Sequence, residues 1–490
     1  MALLAYDNGV GDKRCQDFLR KFKNSTLVQD LKRIAATMDE FHAKLAHMEQ
    51  RIEAQLELPE EEERALEEQL KKLNFKEPDH VQRNGDSIEE INRNACVLKH
   101  LFQSDIVLTE GEADEIVSAI LSSDDSRSKR QAFRNKRYPE TVWRNDRVAF
   151  FFDKKASARV KTVFRKAAKL WRDNTCIDIF EDTCGFSPDR IRVVMEDNCW
   201  SNVGREGGEQ KLSLGDGCDT VYTAAHELGH SLGFFHTHTR HDRNEFIRVN
   251  RRNIDQAHLA DFLPKTRAIN HNYDVPFDFG SIMLYESTAF SKNRKPTMVP
   301  KDKNYIYTLG SPFISFYDIQ MINLHYNCTD RCKPDFSAKC ENGGFPHPRN
   351  CSRCICPGGY GGRLCNERPS GCGQELEADS IRRTFKDRLG KLGFRPADDY
   401  EMCNYWIKAP QGKRIEVKLL SFQPDIVGVS GCKYDGVEIK TQADQRRTGY
   451  RFCSPHAVNT VLVSNSNIVP IITYNSLFQS SVEIQYRIRD

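Results

Sequence analysis

The 490-residue sequence has no strong net charge and no long apolar run. Lys and Arg number 72 against 69 Asp and Glu, a formal net charge of +3, so no strong field favours nucleic acid or an anionic membrane surface. No run approaches the roughly 18 apolar residues of a transmembrane helix, so no membrane anchor is predicted. Gly and Pro are not in excess, and 28 Phe, 16 Tyr and 4 Trp supply core material. This excludes a collagen-like or disordered chain.

A recognisable secretory signal is also lacking. Residues 1–5 are too short for its apolar core, and Asp7 follows at once. Cysteine, in contrast, is abundant, with 17 residues, eleven of them from Cys328 to Cys453. Either the protein is cytosolic with reduced thiols, or it is secreted and its start is incomplete; the cysteine spacing favours a secreted, extracellular protein. Glycosylation, which also favours secretion, is predicted at the sequons of Asn24, Asn327 and Asn350.

The front of the chain is charged and helical in period over residues 27–73. This predicts a solvated helical segment without chemistry, with a helix beginning near Pro59. The length of the chain predicts about three domains. From Tyr138 to about Cys328, strands and a helix alternate, so this region is predicted to mix α and β. The predicted elements are strands at 148–152 and 191–194 and an amphipathic helix at 156–173.

Two dibasic segments lie between these regions. Residues 127–130 and 134–137 both match R-x-K-R, the pattern cut by secretory-pathway convertases, and a basic loop is the alternative. We predict cleavage between Arg130 and Gln131, and Arg137 stays open as a second site. The residues before the cut would then be a propeptide.

The residues that can carry chemistry are concentrated between His226 and His236. His226 and His230 are four residues apart, so on a helix both imidazoles project from one face and can share a metal. Gly233 can adopt a positive φ and end the helix, so that the chain turns back and His236 reaches the same metal. Three neutral imidazoles leave one coordination position open, and one Zn²⁺ is the predicted cofactor.

Glu227 directly follows the first histidine. It would lie beside the metal without ligating it, which is the place of a general base. From the composition of this chain, a chance match to the whole pattern is on the order of 10⁻⁴ or less. The pattern is therefore a strong signal for a metal-dependent hydrolase.

The segment resembles the metzincin zinc peptidases, and among these the astacins, whose motif H-E-x-x-H-x-x-G-F-x-H is followed by R-x-D-R. Phe234 stands after the glycine, and Arg240, Asp242 and Arg243 match the second part. The resemblance implies a metalloendopeptidase that hydrolyses proteins through a zinc-activated water, with Glu227 as the general base.

Two more segments extend the resemblance. Residues 281–285, S-I-M-L-Y, resemble the astacin Met-turn. By this resemblance, Met283 forms the apolar floor under the zinc and Tyr285 helps to stabilise the oxyanion. Residues 102–105 resemble the propeptide motif F-x-G-D. This implies that Asp105 ligates the zinc in a latent zymogen; a solvated loop acid is the alternative.

The chain also departs from the astacin pattern. Ser104 stands where the family prefers Gly, and Asn244 replaces a frequent Asp. Thr237 replaces the Glu that contacts the new amino terminus after activation, and a hydroxyl cannot pair with an ammonium as a carboxylate does. The place of the new terminus is therefore left open. His238 and His241 are predicted to lie at the surface.

The cysteines of the tail suggest two further modules. Six of them fall within residues 332–365 and end in C-I-C-P-G-G-Y-G-G-R-L-C, which resembles an EGF-like module; a zinc knuckle is the alternative. The last four cysteines and K-Y-D-G-V-E-I at 433–439 resemble a CUB domain, an all-β sandwich that docks protein partners. The resemblance implies the bridges Cys176–Cys328, Cys199–Cys218, Cys332–Cys351, Cys340–Cys354 and Cys356–Cys365, and two more among Cys372, Cys403, Cys432 and Cys453.

Three cysteines remain over. Cys184 is free, bonded to another molecule, or evidence against the pairing of Cys176, and Cys15 and Cys96 pair with each other or not at all. Calcium in the CUB domain is only weakly supported. Asp435 and Asp425 could ligate it, but Asn475 stands where a further carboxylate is wanted.

The expected protein is a secreted zymogen most similar to the nematode-type astacins with EGF-like and CUB domains. Its parts would be a propeptide (1–130), an α+β metzincin catalytic domain (131–329), a small disulfide-rich EGF-like module (330–366) and an all-β CUB sandwich (372–490). Expected partners are protein substrates, extracellular or matrix proteins that contact the EGF-like and CUB modules, and an activating convertase. The alternatives are a catalytically inactive secreted binding protein with the same fold and an intracellular zinc-binding protein.

Overall fold

The computed structural model describes residues 27–73, 75, 80–95, 98–121, 132–133, 138–196, 198–265, 270–391, 396–424 and 428–489. Several predicted positions lie outside these residues, namely Cys15, Asn24, Cys96, Arg130, Gln131, Arg137 and Asp425. Within the described part of the chain, no helix is both long enough and apolar enough to cross a membrane.

The front segment, residues 27–121, is helical and packs against the rest of the molecule. Its described helices are α1 Leu27–Ala46, α2 Glu49–Gln55, α3 Glu60–Lys72, α4 Ile88–Asn94 and α5 Glu110–Leu121. In α1, Ile34, Met38, Phe41 and Leu45 recur at helical spacing and are buried, which gives the helix one inward-facing apolar stripe. The ring of Phe41 packs edge-on against that of Phe102, with centroids 5.7 Å apart. The prediction of a solvated segment is therefore wrong for this face.

Ion pairs hold α3 against the neighbouring domain. The Glu62 carboxylate lies 2.6 Å from Arg248 Nε and 2.6 Å from Lys301 Nζ. Arg252 Nη1 lies 3.0 Å from Glu67 Oε1. The helix begins directly after Pro59, close to the predicted start. Its acidic first turn binds two arginines and a lysine of the next domain.

The sheet domain, residues 138–327, is built on five strands in the order β3-β2-β4-β6-β5. The edge strand β5, Cys199–Ser201, is antiparallel to β6, and the other neighbours are parallel. The parallel strands are β2 Arg147–Phe152, β3 Asp178–Glu181, β4 Arg190–Val194 and β6 Glu209–Leu214. The strands predicted at 148–152 and 191–194 are confirmed.

Three helices complete this domain. The amphipathic helix α6, Ala158–Asp173, buries Phe164 and Trp171. It begins two residues later than predicted because Ser157 caps it, its Oγ accepting from Val160 N at 3.1 Å. The other helices are α7 Val221–Ser231 and α8 Phe316–His325. Two short antiparallel pairs join β1 Ala132–Phe133 to β8 Asn270–His271 and β7 Ile247–Val249 to β9 Met298–Pro300.

A hairpin and a β-sandwich follow. The hairpin consists of β10 Phe345–His347 and β11 Asn350–Ile355. The C-terminal sandwich, residues 372–489, has one sheet of order β12-β14-β19-β16-β17 and one of order β13-β20-β15-β18. Its strands are β12 Glu375–Glu377, β13 Arg383–Gly390, β14 Glu401–Lys408, β15 Arg414–Pro424, β16 Asp435–Ile439, β17 Tyr450–Phe452, β18 Val461–Val463, β19 Ile468–Asn475 and β20 Gln479–Arg489.

Seven disulfides link the described residues, five in the pairs that the resemblance implies and two among the last four cysteines. They are Cys176–Cys328, Cys199–Cys218, Cys332–Cys351, Cys340–Cys354, Cys356–Cys365, Cys372–Cys403 and Cys432–Cys453. Cys176 pairs with Cys328, so Cys184 is not evidence against that bridge; it is exposed and has no disulfide partner among the described residues.

The C-terminal sandwich packs directly on the sheet domain. Thr448 N donates to Asp278 Oδ1 at 3.1 Å. The Thr448 side chain fills the space beside Gly280, where an added Cβ would lie 2.3 Å from Thr448 Cγ2. Tyr317 of α8 donates to Asp444 of the sandwich. Through these contacts, the part of the sandwich that follows Cys432 lies against the sheet domain, close to the front segment.

Candidate metal centre

The backbone around α7 brings the three predicted histidines together. His226 and His230 lie on one face of this helix, which begins after the cap Thr220, whose Oγ1 accepts from Thr223 N at 3.2 Å. Gly233 follows the helix with φ +110°, and a Cβ there would lie 3.0 Å from His325 Nε2. A glycine is therefore required at the turn that returns the chain to His236.

Asp105 of the front segment completes a buried four-residue cluster. Its Oδ2 lies 3.2 Å from His226 Nε2 and 3.2 Å from His236 Nε2, and its Oδ1 lies 3.6 Å from His230 Nε2. One ligand atom from each of the four residues lies within 4.8 Å of the others. Burial raises the pKa of Asp105, but His236 and then His230 outweigh it and hold this pKa well below its usual value. Asp105 is therefore an ionised carboxylate in the cluster, and the alternative of a solvated loop acid is wrong.

Each imidazole is oriented by a hydrogen bond from its other nitrogen. His226 Nδ1 lies 2.7 Å from Ile282 O and His230 Nδ1 lies 2.7 Å from Phe234 O. His236 Nδ1 lies 3.0 Å from Gln103 Oε1. These acceptors fix the proton on Nδ1 and leave the Nε2 lone pairs turned toward the centre of the cluster.

The cluster fits Zn²⁺. Burial lowers the pKa of His230 below its usual value and that of His236 to about 3, so both imidazoles are neutral. Within the described residues, His230 Nε2 is buried without a hydrogen-bond partner, and such an atom is costly unless it binds something. Three imidazoles and a carboxylate are a nitrogen and oxygen ligand set that would suit zinc.

Glu227 lies beside this cluster with both carboxylate oxygens buried. Neither oxygen has a hydrogen-bond partner within the described residues. Burial, and then the charge of Asp105, raise the pKa of Glu227 well above its usual value. A carboxylate kept without a structural partner is free to exchange a proton with a reactant.

Residues 281–285, the predicted Met-turn, lie against α7 and the loop that carries His236. Met283 is fully buried, and its carbonyl accepts from Thr237 N at 2.8 Å. An added Cβ on Gly229 would lie 2.7 Å from Met283 Sδ. Sequence reasoning missed Asp318, which anchors the turn by accepting from Ser281 Oγ at 2.6 Å and Ile282 N at 3.0 Å. Its only sequence signal is its place three residues after Ser315, in the capping box of α8.

Tyr285 is held by the front segment. Its hydroxyl donates to Gln103 O and lies 2.9 Å from Ser104 Oγ and 3.4 Å from Asp105 Oδ1. Burial, and then Asp105, raise the pKa of Tyr285 well above its usual value, so the phenol keeps its proton. Ser104, the residue that departs from the family pattern, is therefore in direct contact with the predicted catalytic tyrosine.

His238 is not at the surface, which corrects the prediction. It is fully buried, with its ring stacked on that of Tyr285 at a centroid distance of 4.9 Å. Its Nε2 lies 3.1 Å from Asp261 O, and Arg243 Nη1 donates to its carbonyl at 3.0 Å. Arg243, the second arginine of the R-x-D-R motif, thus keeps the loop of His238 buried. His241 is only half-buried, with Nε2 3.0 Å from Asn272 Nδ2.

The fold and the buried three-histidine cluster beside Glu227 define a zinc-dependent metallopeptidase. Known proteins agree: the model of the Astacin peptidase family matches residues 135–327, and the CUB domain model matches residues 394–486. The chain belongs to the astacin family and is a zinc-dependent metalloendopeptidase, as the zinc motif predicted.

Relatives agree over most of the chain. Zinc metalloproteinase nas-31 of Caenorhabditis elegans is 42% identical over 429 residues, 87% of this chain and 69% of the relative. Zinc metalloproteinase nas-29 of the same organism is 36% identical over 369 residues, 74% of this chain and 68% of the relative. Among solved structures, high choriolytic enzyme 1, a hatching enzyme zinc-protease from medaka (Oryzias latipes), is 30% identical, with a TM-score of 0.35, over 40% of this chain and 94% of its own.

Proposed function

We propose that the chain is the latent form of a secreted zinc endopeptidase that cleaves extracellular or matrix proteins. The observation that carries this proposal is the position of Asp105, fully buried and within 3.6 Å of Nε2 of all three histidines. A carboxylate at this point occupies the position that a catalytic zinc keeps open for water or substrate. The enzyme would be inactive until the front segment leaves.

The roles of the site residues follow from their surroundings. His226, His230 and His236 would hold the metal over the floor formed by Met283. Zinc held there would act as a Lewis acid, which polarises a substrate carbonyl and lowers the pKa of a water molecule. Glu227, whose oxygens have no structural partner within the described residues, takes a proton from the attacking water and returns it to the leaving amine.

Tyr285 would act on the oxyanion. Its phenol keeps its proton at neutral pH and lies beside His236, with ring centroids 4.2 Å apart. Once Gln103 and Ser104 leave with the front segment, the hydroxyl can donate to the charge that develops on the substrate oxygen.

The front segment also marks the path of the substrate. Residues 105–107 lie beside the edge strand β5, where Ser201 N donates to Asp105 O at 2.9 Å and Val107 N donates to Ser201 O at 3.0 Å. A sheet edge with free backbone groups binds an extended peptide in this way. We infer that a polypeptide substrate replaces residues 105–107 as an added strand beside the zinc.

Secretion and activation complete the proposal. The seven disulfides require an oxidising compartment, and the sequon residues Asn327 and Asn350 are exposed and available for glycans; Asn24 is proposed as a third site. A convertase-type protease would cut between Arg130 and Gln131, with Arg137 as the second candidate. Residues 1–130 would then be the propeptide and 131–329 the catalytic domain. The EGF-like module at 330–366 and the CUB domain at 372–490 would bind extracellular protein partners.

The experiment is turnover of a mixed peptide library by zymogen that is secreted behind a supplied signal and cut after Arg130. Glu227→Gln keeps the shape of the side chain but cannot take the proton, and should lower turnover by about 100-fold or more. Zinc content should stay at one per chain in this variant, and the exposed Glu245→Gln should behave as wild type. Chelation should abolish turnover. A correctly folded, zinc-loaded and cut protein without any turnover would favour the inactive binding protein instead.

A further inference from the structure

Lys433 belongs to the C-terminal sandwich, but its ammonium lies in the sheet domain beside the catalytic residues. It directly follows the disulfide-bonded Cys432, and its side chain is only 5% exposed. Nζ lies 3.6 Å from the carboxylate of Glu286, the residue that follows Tyr285. The ring of Tyr222, on α7, lies 6.0 Å away.

In the uncut chain, this ammonium binds the main chain of the front segment. Lys433 Nζ donates to the carbonyl of Asp86 at 2.6 Å. Asp86 is the last residue but one before α4, and Tyr222 Oη lies 3.3 Å from the same carbonyl. Two side chains, one from the sandwich and one from the zinc helix, therefore meet at one peptide carbonyl.

A small, partly open cavity connects this position to the metal centre. It has a volume of about 30 Å³, and its walls include Ser87, Glu89, His226, Tyr285 and Lys433. Residues 87–89 of the front segment thus fill a space bounded on one side by the first zinc histidine and the catalytic tyrosine, and on the other by the lysine of the sandwich. When the front segment leaves, Lys433 becomes part of the wall of the open cleft.

We propose that Lys433 is a substrate-binding residue, supplied to the protease cleft by the C-terminal sandwich. In the cut enzyme its ammonium would donate to a backbone carbonyl of the bound polypeptide, in the place now taken by Asp86 O. The inference rests on the proposed function, in which the front segment occupies the substrate cleft.

The expected ligand is a main-chain carbonyl because of the charge beside the lysine. Glu286 already balances the ammonium, so the pair offers directed N–H groups without a net positive charge that would select acidic side chains. Every polypeptide has main-chain carbonyls, whatever its sequence. Only a peptide long enough to extend past the zinc centre can place one of them at Lys433. The residue would thus favour long polypeptides over short peptides.

The test compares kcat and KM of the cut full-length protein on one short peptide and on the same peptide extended by several residues on either side. Lys433→Met keeps the length of the side chain and removes the donor. For the extended peptide we expect KM to rise by about tenfold with kcat little changed, the loss of one charge-assisted hydrogen bond. For the short peptide both constants should stay at the wild-type value.

Matched variants separate binding from folding. Lys386→Met removes a lysine that is 73% exposed and whose Nζ is 3.1 Å from Glu483, and should change neither peptide. Lys433→Arg keeps the charge and the donors and should restore most of the affinity. If Lys433→Met is not secreted, Lys433→Gln serves the same comparison, because its amide is a shorter and weaker donor. An unchanged KM of the extended peptide in Lys433→Met or Lys433→Gln would overturn this proposal alone. If the cut wild type turned over neither peptide, the proposed function would be overturned as well.

Discussion

The hydroxyl of Ser104 lies 2.9 Å from that of Tyr285, so the segment 102–105 contacts the proposed catalytic tyrosine as well as the proposed zinc ligands. Ser104 has a φ of +66°, a left-handed conformation in which a glycine would be easier to accommodate. The backbone of a serine is more strained in this conformation than that of a glycine, but the serine hydroxyl adds a hydrogen-bond partner for the phenol of Tyr285. In the proposed latent form, two contacts therefore cover the site: Asp105 lies at the histidines and Ser104 at the tyrosine.

Asp105→Ala tests the first of these contacts. Without the carboxylate, the position over the histidines opens while the rest of the front segment stays docked. We expect the uncut protein to gain turnover of a small peptide by about tenfold, a shift of about 1.4 kcal/mol between closed and open forms, and to remain below the cut enzyme. Asp114→Ala, in the exposed part of α5 where Asp114 Oδ1 lies 2.7 Å from Lys44 Nζ, is the matched control. Equal turnover in the two uncut variants would contradict the role of Asp105.

Asn92 should stabilise the docked front segment, because it joins the loop of Ser104 to the edge strand β5. It is fully buried in α4; its Nδ2 donates to Ser104 O and to Cys199 O, each at 2.7 Å, and its Oδ1 accepts from Cys199 N at 3.0 Å. Asn92→Ala leaves these buried groups unpaired and should lower the free energy of unfolding of the uncut protein by about 2 kcal/mol. Differential scanning calorimetry measures the change.

The control for this variant is Asn94→Ala on the same helix. Asn94 is exposed and its Nδ2 makes one hydrogen bond, to Asn84 O at 3.2 Å, so the substitution should change the free energy of unfolding by less than about 0.5 kcal/mol. If both variants melt at the same temperature, Asn92 does not anchor the front segment.

The stability of the uncut protein should also depend on pH through Glu89. Burial raises the pKa of this residue from 4.5 to about 7, with Arg93 opposing the shift and Glu286 adding to it. Between these two values the folded protein holds a proton that the unfolded chain has released. The free energy of unfolding therefore falls as the pH rises from about 4.5 to about 7, by at most about 3 kcal/mol.

Glu89→Gln removes this titration. The variant should melt at a higher temperature than wild type at pH 8 and near the wild-type temperature at pH 4, because a neutral amide resembles the protonated acid. Glu61→Gln, at an exposed position of α3, should leave the pH dependence as it is. A wild-type pH slope that persists in Glu89→Gln would assign the effect to other groups.

The sequence predicts the parts of the site that depend on local spacing. His226 and His230 share a helix face, and Gly233 is required for the turn to His236, so helical geometry alone predicts that these residues lie together. Met283 and Tyr285 lie about fifty residues further along the chain, and only the family pattern connected them to the zinc.

Tertiary contacts decide the rest. His238 looks like a polar surface residue, but Arg243 and the Asp261 carbonyl bind it inside. The sequence of α1 shows a helical period, but neighbouring residues in the sequence do not indicate that its apolar stripe packs against Phe102. Lys433 belongs to another domain, so its place beside Glu286 depends on how the sandwich docks on the sheet domain, which local pattern does not encode.

Met283, the proposed floor of the metal centre, packs closely against Gly229. Gly229 lies between the two zinc histidines of α7, and an added Cβ would be 2.7 Å from Met283 Sδ and 3.5 Å from the Trp171 ring. Because Met283 and Trp171 are fully buried, neither can move without disturbing the core. Gly229→Ala should therefore lower the free energy of unfolding by about 1–3 kcal/mol, and the displaced α7 should hold zinc less tightly. Thermal unfolding with and without a chelator measures both effects.

A second helical glycine provides the comparison. Gly111, in α5, has no atom within 4 Å of an added Cβ, so Gly111→Ala meets no steric obstacle. Since alanine favours a helix more than glycine does, this substitution should raise the free energy of unfolding by up to about 1 kcal/mol. The two variants make the same chemical change and should act with opposite signs. If Gly229→Ala were also stabilising, Met283 would have room to move, and the Met-turn could not be the rigid floor that keeps the three histidines in place.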